Sequence, residues 1–279
     1  MTVDRIRWAE RAWQRPITEV RLLTGGWTST MLRLTGEDGE RAVLRLMTKE
    51  PWRRHATGLL TREAKVQQQL EPTPIPAPRS IAVDLTGTPA HLMTWLPGDL
   101  CLDDKGIVEP LARLLADIHA VDPGPGRPRA YESWAVPAKR VVPAWSTRPA
   151  LWERAFRLLD RPAPAYAGTF LHRDFHLGNV LWSQGRVSGV VDWVETSWGP
   201  AGLDVAHAAT YLAMLHGVET AARFAGLCGE PDRYWVVLDI VGYLPDPAKV
   251  VQPWRDRGLT VSDTVARRRL EQWLADRGA

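Results

Sequence analysis

The uneven distribution of strand-like and helix-like patterns constrains the fold of this chain most. The first 96 residues contain five strand-like runs, at 17–23, 29–36, 41–47, 80–85 and 90–96, and one long helical segment at 57–71. After residue 96 helical spacing of apolar residues dominates, at 107–122, 150–160, 202–227, 231–243 and 262–277. The chain also starts with a helical pattern at 3–15. This order predicts an α+β fold with two lobes, residues 1–96 and residues 97–279.

Composition excludes several functional classes. The 279 residues include 35 basic and 32 acidic side chains without a long basic run, so we expect no nucleic-acid partner. No apolar run approaches the ~18 residues of a membrane span, and the charged N-terminus lacks the apolar region of a secretory signal. Only two cysteines are present, in unrelated segments, which favours a reducing compartment. We therefore expect a cytoplasmic protein without a membrane partner, either a monomer or a homodimer.

The segment 172–179, "HRDFHLGN", concentrates polar residues between two apolar dipeptides. It could be a solvated turn capped by Asp174 or Asn179. It could also be a metal site, because His172, Asp174 and His176 alternate, although Gly178 indicates a loop and no further zinc ligand stands nearby. The third interpretation is the catalytic loop of a phosphoryl-transfer enzyme.

The spacing of three residues favours phosphoryl transfer. In such enzymes an aspartate receives the proton of the acceptor hydroxyl, and an asparagine five residues later holds a metal ion. Asp174 and Asn179 fit this pattern, and Asp192 follows thirteen residues later at the end of the strand-like run "GVV". A hairpin of the two intervening strands would bring Asn179 and Asp192 together.

The remaining parts of such an enzyme are expected nearer the N-terminus, and candidates are present there. "LTGGWTST" (23–30) lies between two strand-like runs, as a phosphate-covering loop requires. Its candidate phosphate-binding residues are Gly25, Gly26, Ser29 and Thr30. The third strand carries Arg45, and the following helix carries Glu63 at a position where the two side chains can pair.

With these motifs the chain resembles the aminoglycoside phosphotransferase and choline kinase-like family, the small-molecule relatives of protein kinases, from about residue 22 to about residue 215. The strongest matches are "HRDFHLGNVL" and "GVVDW"; "MTWLPGD" resembles the hinge between the lobes, and "GPAGLDVAHA" resembles the start of the helix behind the catalytic loop. The resemblance implies a protein kinase-like fold, with a five-stranded antiparallel sheet and one helix in the N-terminal lobe and a mainly helical C-terminal lobe.

The resemblance also implies roles for individual residues. Asp174 would be the catalytic base, and Asn179 and Asp192 would bind Mg²⁺. Arg45 would contact the phosphates of ATP or GTP, and Glu63 would orient it. His172 and Asp204 would brace the catalytic loop, and the backbone around three hinge residues would bind the purine: Thr94, Trp95 and Leu96.

The implied activity is transfer of the γ-phosphoryl group of ATP or GTP to a hydroxyl of a small molecule. Only eleven residues separate Asp192 from Asp204, too few for a peptide-docking activation segment. An aminoglycoside or related antibiotic, an amino alcohol, a sugar and a macrolide all stay open as acceptors. Because protein kinases have lysine where this chain has Arg45, a nucleotide-binding pseudokinase is the alternative.

Several further residues could line the acceptor site. Glu195, Asp232 and Asp239 are candidate acids for a cationic acceptor, although we expect each of them rather at the surface or as a helix cap. The candidate stacking residues are Trp134, Trp145 and Trp198, each of which could instead belong to the core. Lys49 would be the next candidate for the phosphate anchor if Arg45 does not serve.

Overall fold

The computed structural model describes residues 2–23 and 28–278, and the chain divides into two compact units. The first unit comprises Met1–Asp99 and Leu181–Glu195, and the second comprises Leu100–Val180 and Thr196–Ala279. The segment that follows the catalytic-loop motif therefore returns to the first unit.

A five-stranded antiparallel sheet forms the centre of the first unit, with the order β1–β2–β3–β5–β4. Its strands are β1 (Ile17–Leu23), β2 (Thr30–Gly36), β3 (Arg41–Leu46), β4 (Ser80–Asp84) and β5 (Ala90–Thr94). Apolar residues alternate along these strands, so Leu32, Leu44 and Leu92 share one face and are buried. Helix α1 (Thr2–Trp13) covers that face with Ala9 at the centre of the contact.

The opposite face of the sheet carries polar residues, among them the predicted phosphate-binding residue Arg45. Arg45 of β3 and His91 of β5 are register partners, so both point toward helix α2 (Ala56–Leu70). The helix presents Glu63 to them. Burial of these three side chains is possible because each has an oppositely charged or hydrogen-bonding partner.

A smaller three-stranded sheet has the order β6–β8–β9, and most of its residues belong to the first unit. Its strands are β6 (Asp99–Leu100), β8 (Val180–Ser183) and β9 (Arg186–Val190). Gln184 and Gly185 connect β8 to β9, and both have positive φ (50° and 73°), as a two-residue hairpin turn requires. The predicted hairpin is therefore present, and Asp192 follows its second strand.

The second unit is mainly helical. Its helices are α3 (Val108–His119), α4 (Pro149–Leu159), α5 (Gly202–His216), α6 (Val218–Leu227), α7 (Arg233–Gly242), α8 (Ala248–Arg255) and α9 (Asp263–Arg277), and β7 (Gly168–Leu171) pairs with β10 (Ser197–Pro200). Every residue of α5 from Leu203 to Leu215 is buried, so this helix forms the core against its neighbours.

Two details of the helical unit differ from the sequence predictions. A single helix over 202–227 was wrong, because Gly217 has a φ of 120° and ends α5 before α6 begins. Helix α8 was not predicted, since Pro253 interrupts its helical pattern. In the described residues no helix is long and apolar enough to cross a membrane.

Candidate active site

One buried carboxylate anchors the loop between β7 and β8. Asp204, in the first turn of α5, accepts hydrogen bonds from the backbone N–H groups of His172 (2.9 Å) and Arg173 (2.8 Å). His119 Nε2 lies 3.2 Å from the same carboxylate. Arg173 has a φ of 73°, which is unfavourable for a residue with a side chain and is maintained by these bonds. Asp204 thus braces the loop, as predicted from the sequence.

Asp174 is held in a fixed orientation by donors on both of its oxygens. Its Oδ1 lies 3.0 Å from His207 Nε2, and its Oδ2 accepts a hydrogen bond of 3.2 Å from Asn179 Nδ2. Burial by itself raises the pKa of Asp174, but neighbouring His176 and the hydrogen bond from His207 outweigh it, so the pKa lies well below its usual value. The side chain is still 28% exposed, so an ionised and oriented carboxylate reaches the surface of the second unit.

His207 lies between two carboxylates. Its Nε2 faces Asp174, and its Nδ1 lies 2.8 Å from Asp239 Oδ1 and 3.1 Å from the hydroxyl of Tyr243. Burial by itself lowers the pKa of His207, but the charge of Asp239 and the hydrogen bonds to both carboxylates raise it to about 9. Because both ring nitrogens face acceptors, His207 is an imidazolium at neutral pH. It links Asp174 to a carboxylate that is only 1% exposed.

Three of these side chains could in principle hold a transition metal. Ligand atoms of Asp174, His176 and His207 lie within 4.8 Å of one another. The hydrogen bonds do not favour such a site, because His176 Nδ1 accepts a bond of 3.0 Å from the Gly178 N–H, which leaves the proton of the neutral ring on Nε2. Burial lowers the pKa of His176 to about 4, so the ring is neutral at pH 7. Both imidazoles therefore direct N–H groups, and not lone pairs, toward Asp174.

In the first unit, Arg45 joins two carboxylates. Its Nη1 and Nη2 each donate to Asp192 Oδ1 at 3.0 Å, and Nη2 forms an ion pair of 3.2 Å with Glu63 Oε1. Glu63 Oε2 lies 2.9 Å from His91 Nδ1, and His91 Nε2 lies 2.9 Å from Ser80 Oγ. The predicted pairing of Arg45 with Glu63 is present, with Asp192 as a third member. Its function in phosphate binding stays a prediction.

The charges of this cluster stabilise one another. Burial by itself lowers the pKa of Arg45, but the charges of Asp192 and Glu63 outweigh it and raise the pKa. Burial of Glu63 by itself raises its pKa, but the charge of Arg45 and the hydrogen bond with His91 outweigh this effect. The pKa of Glu63 therefore lies below its usual value. Asp192, with a φ of 66°, lies just after β9, and its side chain is 31% exposed. The carboxylates of Glu63 and Asp192 carry one negative charge more than the guanidinium of Arg45 neutralises, and Asp192 is the partly exposed one of the two.

The other predicted nucleotide-binding residues lie in the first unit. Ser29 is buried, with its hydroxyl 3.4 Å from Met31 Sδ, and Thr30 shares a hydrogen bond of 2.7 Å with Thr48. Gly25 and Gly26 lie outside the described residues. The hinge residues Thr94, Trp95 and Leu96 line a cavity of about 630 Å³ together with Trp13 and Arg41, and Arg45 does not line it. Asn179 belongs to the second unit and Asp192 to the first, so a shared metal ion stays a prediction.

Sequence reasoning missed the residues that support the predicted ones. His207 follows Asp204 by three positions, a spacing that places both side chains on one side of α5. Asp239 is a lone acid in the apolar segment "WVVLDIVG" of α7, and such an acid requires a partner when it is buried. The expectation that Asp239 lies at the surface or caps a helix was wrong. His91, the partner of Glu63, was also not identified.

The comparisons with known proteins give a family and a fold. Residues 19–235 match the model of the phosphotransferase enzyme family. The sequence matches no curated protein.

Solved structures give three informative likenesses. Aminoglycoside phosphotransferase APH(4)-Ia is 17% identical with a TM-score of 0.67, and all of both chains is covered. A thermostable mutant of that enzyme, in a ternary complex with ADP and hygromycin B, is 16% identical with a TM-score of 0.65 over 98% of this chain and 99% of that chain. Macrolide 2'-phosphotransferase type I is 18% identical with a TM-score of 0.63 over 99% and 97%.

These likenesses show the same fold, and they confirm the predicted protein kinase-like architecture with its five-stranded antiparallel sheet. The matched region covers more than half of the chain and contains Arg45, Glu63, Asp174, Asp192 and His207, whereas Asp239 and Tyr243 follow its end at residue 235. The chain belongs to the phosphotransferase enzyme family.

Proposed function

We propose that this protein transfers the γ-phosphoryl group of ATP or GTP to a hydroxyl group of a small molecule, with Mg²⁺ as cofactor. The observation that carries the proposal is the arrangement of Asp174. Its carboxylate is ionised, fixed by His207 and Asn179, and 28% exposed. A general base for an acceptor hydroxyl needs these three properties.

The cluster around Arg45 supports a role in binding phosphates. Its Nε is buried and makes no hydrogen bond to any residue that the structure describes, so a phosphate oxygen would satisfy it. The guanidinium cannot lose its charge at physiological pH. Glu63 and His91 hold it in position from the side of α2. Arginine can therefore serve where protein kinases have lysine.

The donor set also fits Mg²⁺, which prefers carboxylate and amide oxygens. We assign Asp192 and Asn179 as its protein ligands. Asn179 uses its Nδ2 for hydrogen bonds to Asp174, which leaves the amide oxygen for a cation. The excess negative charge of Asp192 and Glu63 over Arg45 favours a cation at Asp192. When bound, Mg²⁺ would neutralise charge on the phosphate oxygens.

The chain's own residues then perform the following chemistry. Asp174 orients the acceptor hydroxyl and takes its proton as the hydroxyl oxygen bonds to the γ-phosphorus. The bond from that phosphorus to the bridging oxygen breaks, and the nucleoside diphosphate leaves with the electron pair. Arg45 stabilises negative charge on the phosphate oxygens. His207 keeps Asp174 in place through the hydrogen bond to its Oδ1.

The acceptor is a small hydroxylated molecule in this proposal. The related structures support this class, since one contains hygromycin B and another is a macrolide 2'-phosphotransferase. An amino alcohol or a sugar would fit the same chemistry at Asp174.

Nucleotide binding and turnover can be measured separately. In a thermal-shift assay, ATP or GTP with Mg²⁺ should stabilise the wild type, by about 2.7 kcal/mol at a nucleotide concentration of 100 times Kd. Asp192→Ala should lose most of this Mg²⁺-dependent shift, whereas Asp174→Asn should keep it and lose turnover. Asp276→Asn, an exposed acid in the last turn of α9, is the control and should match the wild type. No stabilisation by either nucleotide would contradict the proposal, and binding without turnover of any acceptor would favour the pseudokinase.

A further inference from the structure

We infer that the acceptor is a largely apolar hydroxylated molecule with at most one positive charge, and that this enzyme does not act preferentially on polycationic aminoglycosides. This inference rests on the proposed function, and it concerns the surface of the second unit around Asp174. It is carried by two features of that surface, its aromatic composition and its charge balance.

Six rings form a continuous cluster around Asp174, which we call the ring cluster: Trp134, His176, His207, Tyr211, Tyr243 and Trp254. His176 stacks on Tyr211 with centroids 4.1 Å apart, and His207 stacks on Tyr243 at 5.9 Å. Trp134 meets His207 edge to face at 5.1 Å, and Trp254 approaches Tyr211 at 6.4 Å. These contacts fix the rings relative to the base.

The ring cluster has an inner and an outer part. Tyr211 and Trp254 are buried, whereas Trp134, Tyr243 and His176 are half-buried beside the exposed edge of Asp174. A molecule whose hydroxyl reaches Asp174 would therefore contact ring faces and edges with its carbon atoms. Rigid aromatic walls with a few fixed polar groups are typical of sites for apolar or sugar-like ligands.

The charges in this surface are already compensated. His207 is the cationic partner of both Asp174 and Asp239. Arg173 lies over the ring of Trp134 at 3.8 Å, and Lys139 donates to the carbonyl of Gly242, next to Tyr243. His207 is thus the cation that contacts both carboxylates, and Arg173 and Lys139 add two positive charges next to rings of the cluster. Burial raises the pKa values of Tyr211 and Tyr243 well above normal, so both phenols stay neutral.

The candidate acids for a cationic acceptor have other partners. Asp239 is buried, and its Oδ1 is paired with His207 Nδ1. Asp232 caps α7 by accepting a hydrogen bond of 2.7 Å from the Tyr234 N–H. Glu195 ends the short helical turn Trp193–Glu195 in the first unit, and its place in the acceptor site stays a prediction. Within the ring cluster, a ligand with several ammonium groups would thus find one partly exposed carboxylate, that of Asp174, which His207 already contacts. Each further ammonium group would lose hydration against ring faces without a carboxylate partner from the cluster.

The test compares binding and turnover of three acceptors of different charge. These are 4-nitrophenyl β-glucoside (uncharged), erythromycin (one amine) and hygromycin B (several amines), each with ATP and Mg²⁺. We expect kcat/KM for the better of the first two acceptors to be roughly 100-fold higher than kcat/KM for hygromycin B. Binding without turnover is read from quenching of tryptophan fluorescence. Equal or better use of hygromycin B, or binding of neither apolar acceptor, would overturn the inference.

A charge substitution in the ring cluster makes the test specific. Trp134→Glu should lower kcat/KM for the apolar acceptor by roughly tenfold and shift the preference toward hygromycin B. Trp134→Leu, which adds no charge, should lower use of the apolar acceptor without that shift. Trp52→Glu is the matched control, because Trp52 is an exposed tryptophan of the first unit that does not belong to the ring cluster, and the acceptor preference of this variant should stay that of the wild type.

The outcomes separate this inference from the proposed function. If hygromycin B is phosphorylated preferentially, phosphoryl transfer stands and only the acceptor class is wrong. If no nucleotide stabilises the protein in the presence of Mg²⁺, the proposed function fails, whatever the acceptors do.

Discussion

Replacement of His207 by glutamine removes the only cation that both Asp174 and Asp239 contact through hydrogen bonds in the described structure. The two distances, 3.0 Å to Asp174 and 2.8 Å to Asp239, are those of charge-assisted hydrogen bonds, each worth about 1.5–3 kcal/mol. Glutamine can donate to one carboxylate but carries no charge. Asp239, at 1% exposure, would be left as a buried and unpaired charge.

The expected loss of stability at pH 7 is on the order of 3 kcal/mol. A rise in the pKa of His207 from 6.5 to about 9 corresponds to a stabilisation of the same order. Since the pKa in the folded state exceeds that in the unfolded state, this stabilisation is fully present below pH 6.5 and disappears as the pH rises through about 9. The wild type should therefore lose stability over this interval, and His207→Gln should lack that part of the pH dependence.

The assay is thermal and urea denaturation at a series of pH values between 6 and 10. His207→Gln should lower Tm by roughly 10 °C at pH 7. His55→Gln, an exposed histidine of the first unit, is the matched control and should change stability by less than about 0.5 kcal/mol.

A second variant tests the cause of the loss. The double variant His207→Gln with Asp239→Asn removes the stranded charge, and should recover part of the stability without recovering full activity. A His207→Gln protein as stable as the His55→Gln control, or one that keeps the alkaline pH dependence of the wild type, would refute the reasoning.

Three further predictions concern Asp174, Arg45 and His176. Asp174→Asn should lower kcat by at least about 100-fold with little change in nucleotide KM, and an equal loss of nucleotide affinity would contradict its assignment as the base. Arg45→Ala should lower kcat/KM about ten- to hundredfold and Arg45→Lys should restore part of it; full activity of the alanine variant would direct attention to Lys49. Since burial holds the pKa of His176 at about 4, below its usual value, the stability that this residue contributes is present above pH 6.5 and should be lost as the pH falls toward 4, and His176→Gln should flatten the acid side of a stability–pH profile.

Much of the fold could be predicted because its signals are local. The alternation of apolar residues in β2, β3 and β5 predicted a half-buried sheet, and the spacing of apolar residues predicted α2 and α3 to within a few residues. The wrong prediction of one helix over 202–227 has the same origin, because helical periodicity on both sides of Gly217 cannot reveal the positive φ of this glycine.

The residues that support the site could not be predicted as easily. Motif spacing predicted roles for Asp174 and Asp192, because the proposed chemistry requires particular residue types. Asp239 lies 65 positions after Asp174, and only the packing of α7 against α5 places it next to His207. A single sequence contains no signal that pairs two such residues, except that a buried acid needs a partner.

Mass spectrometry of the acceptor measures phosphoryl transfer most directly. With Mg²⁺ and ATP or GTP, we expect the wild type to produce a phosphate ester of the favoured acceptor, with one nucleoside diphosphate released per ester. Asp174→Asn should produce almost none while it still binds the nucleotide. Nucleotide consumption without any phosphate ester, or ester formation by Asp174→Asn at the rate of the wild type, would contradict the assignment of this protein as a kinase that uses Asp174 as its base.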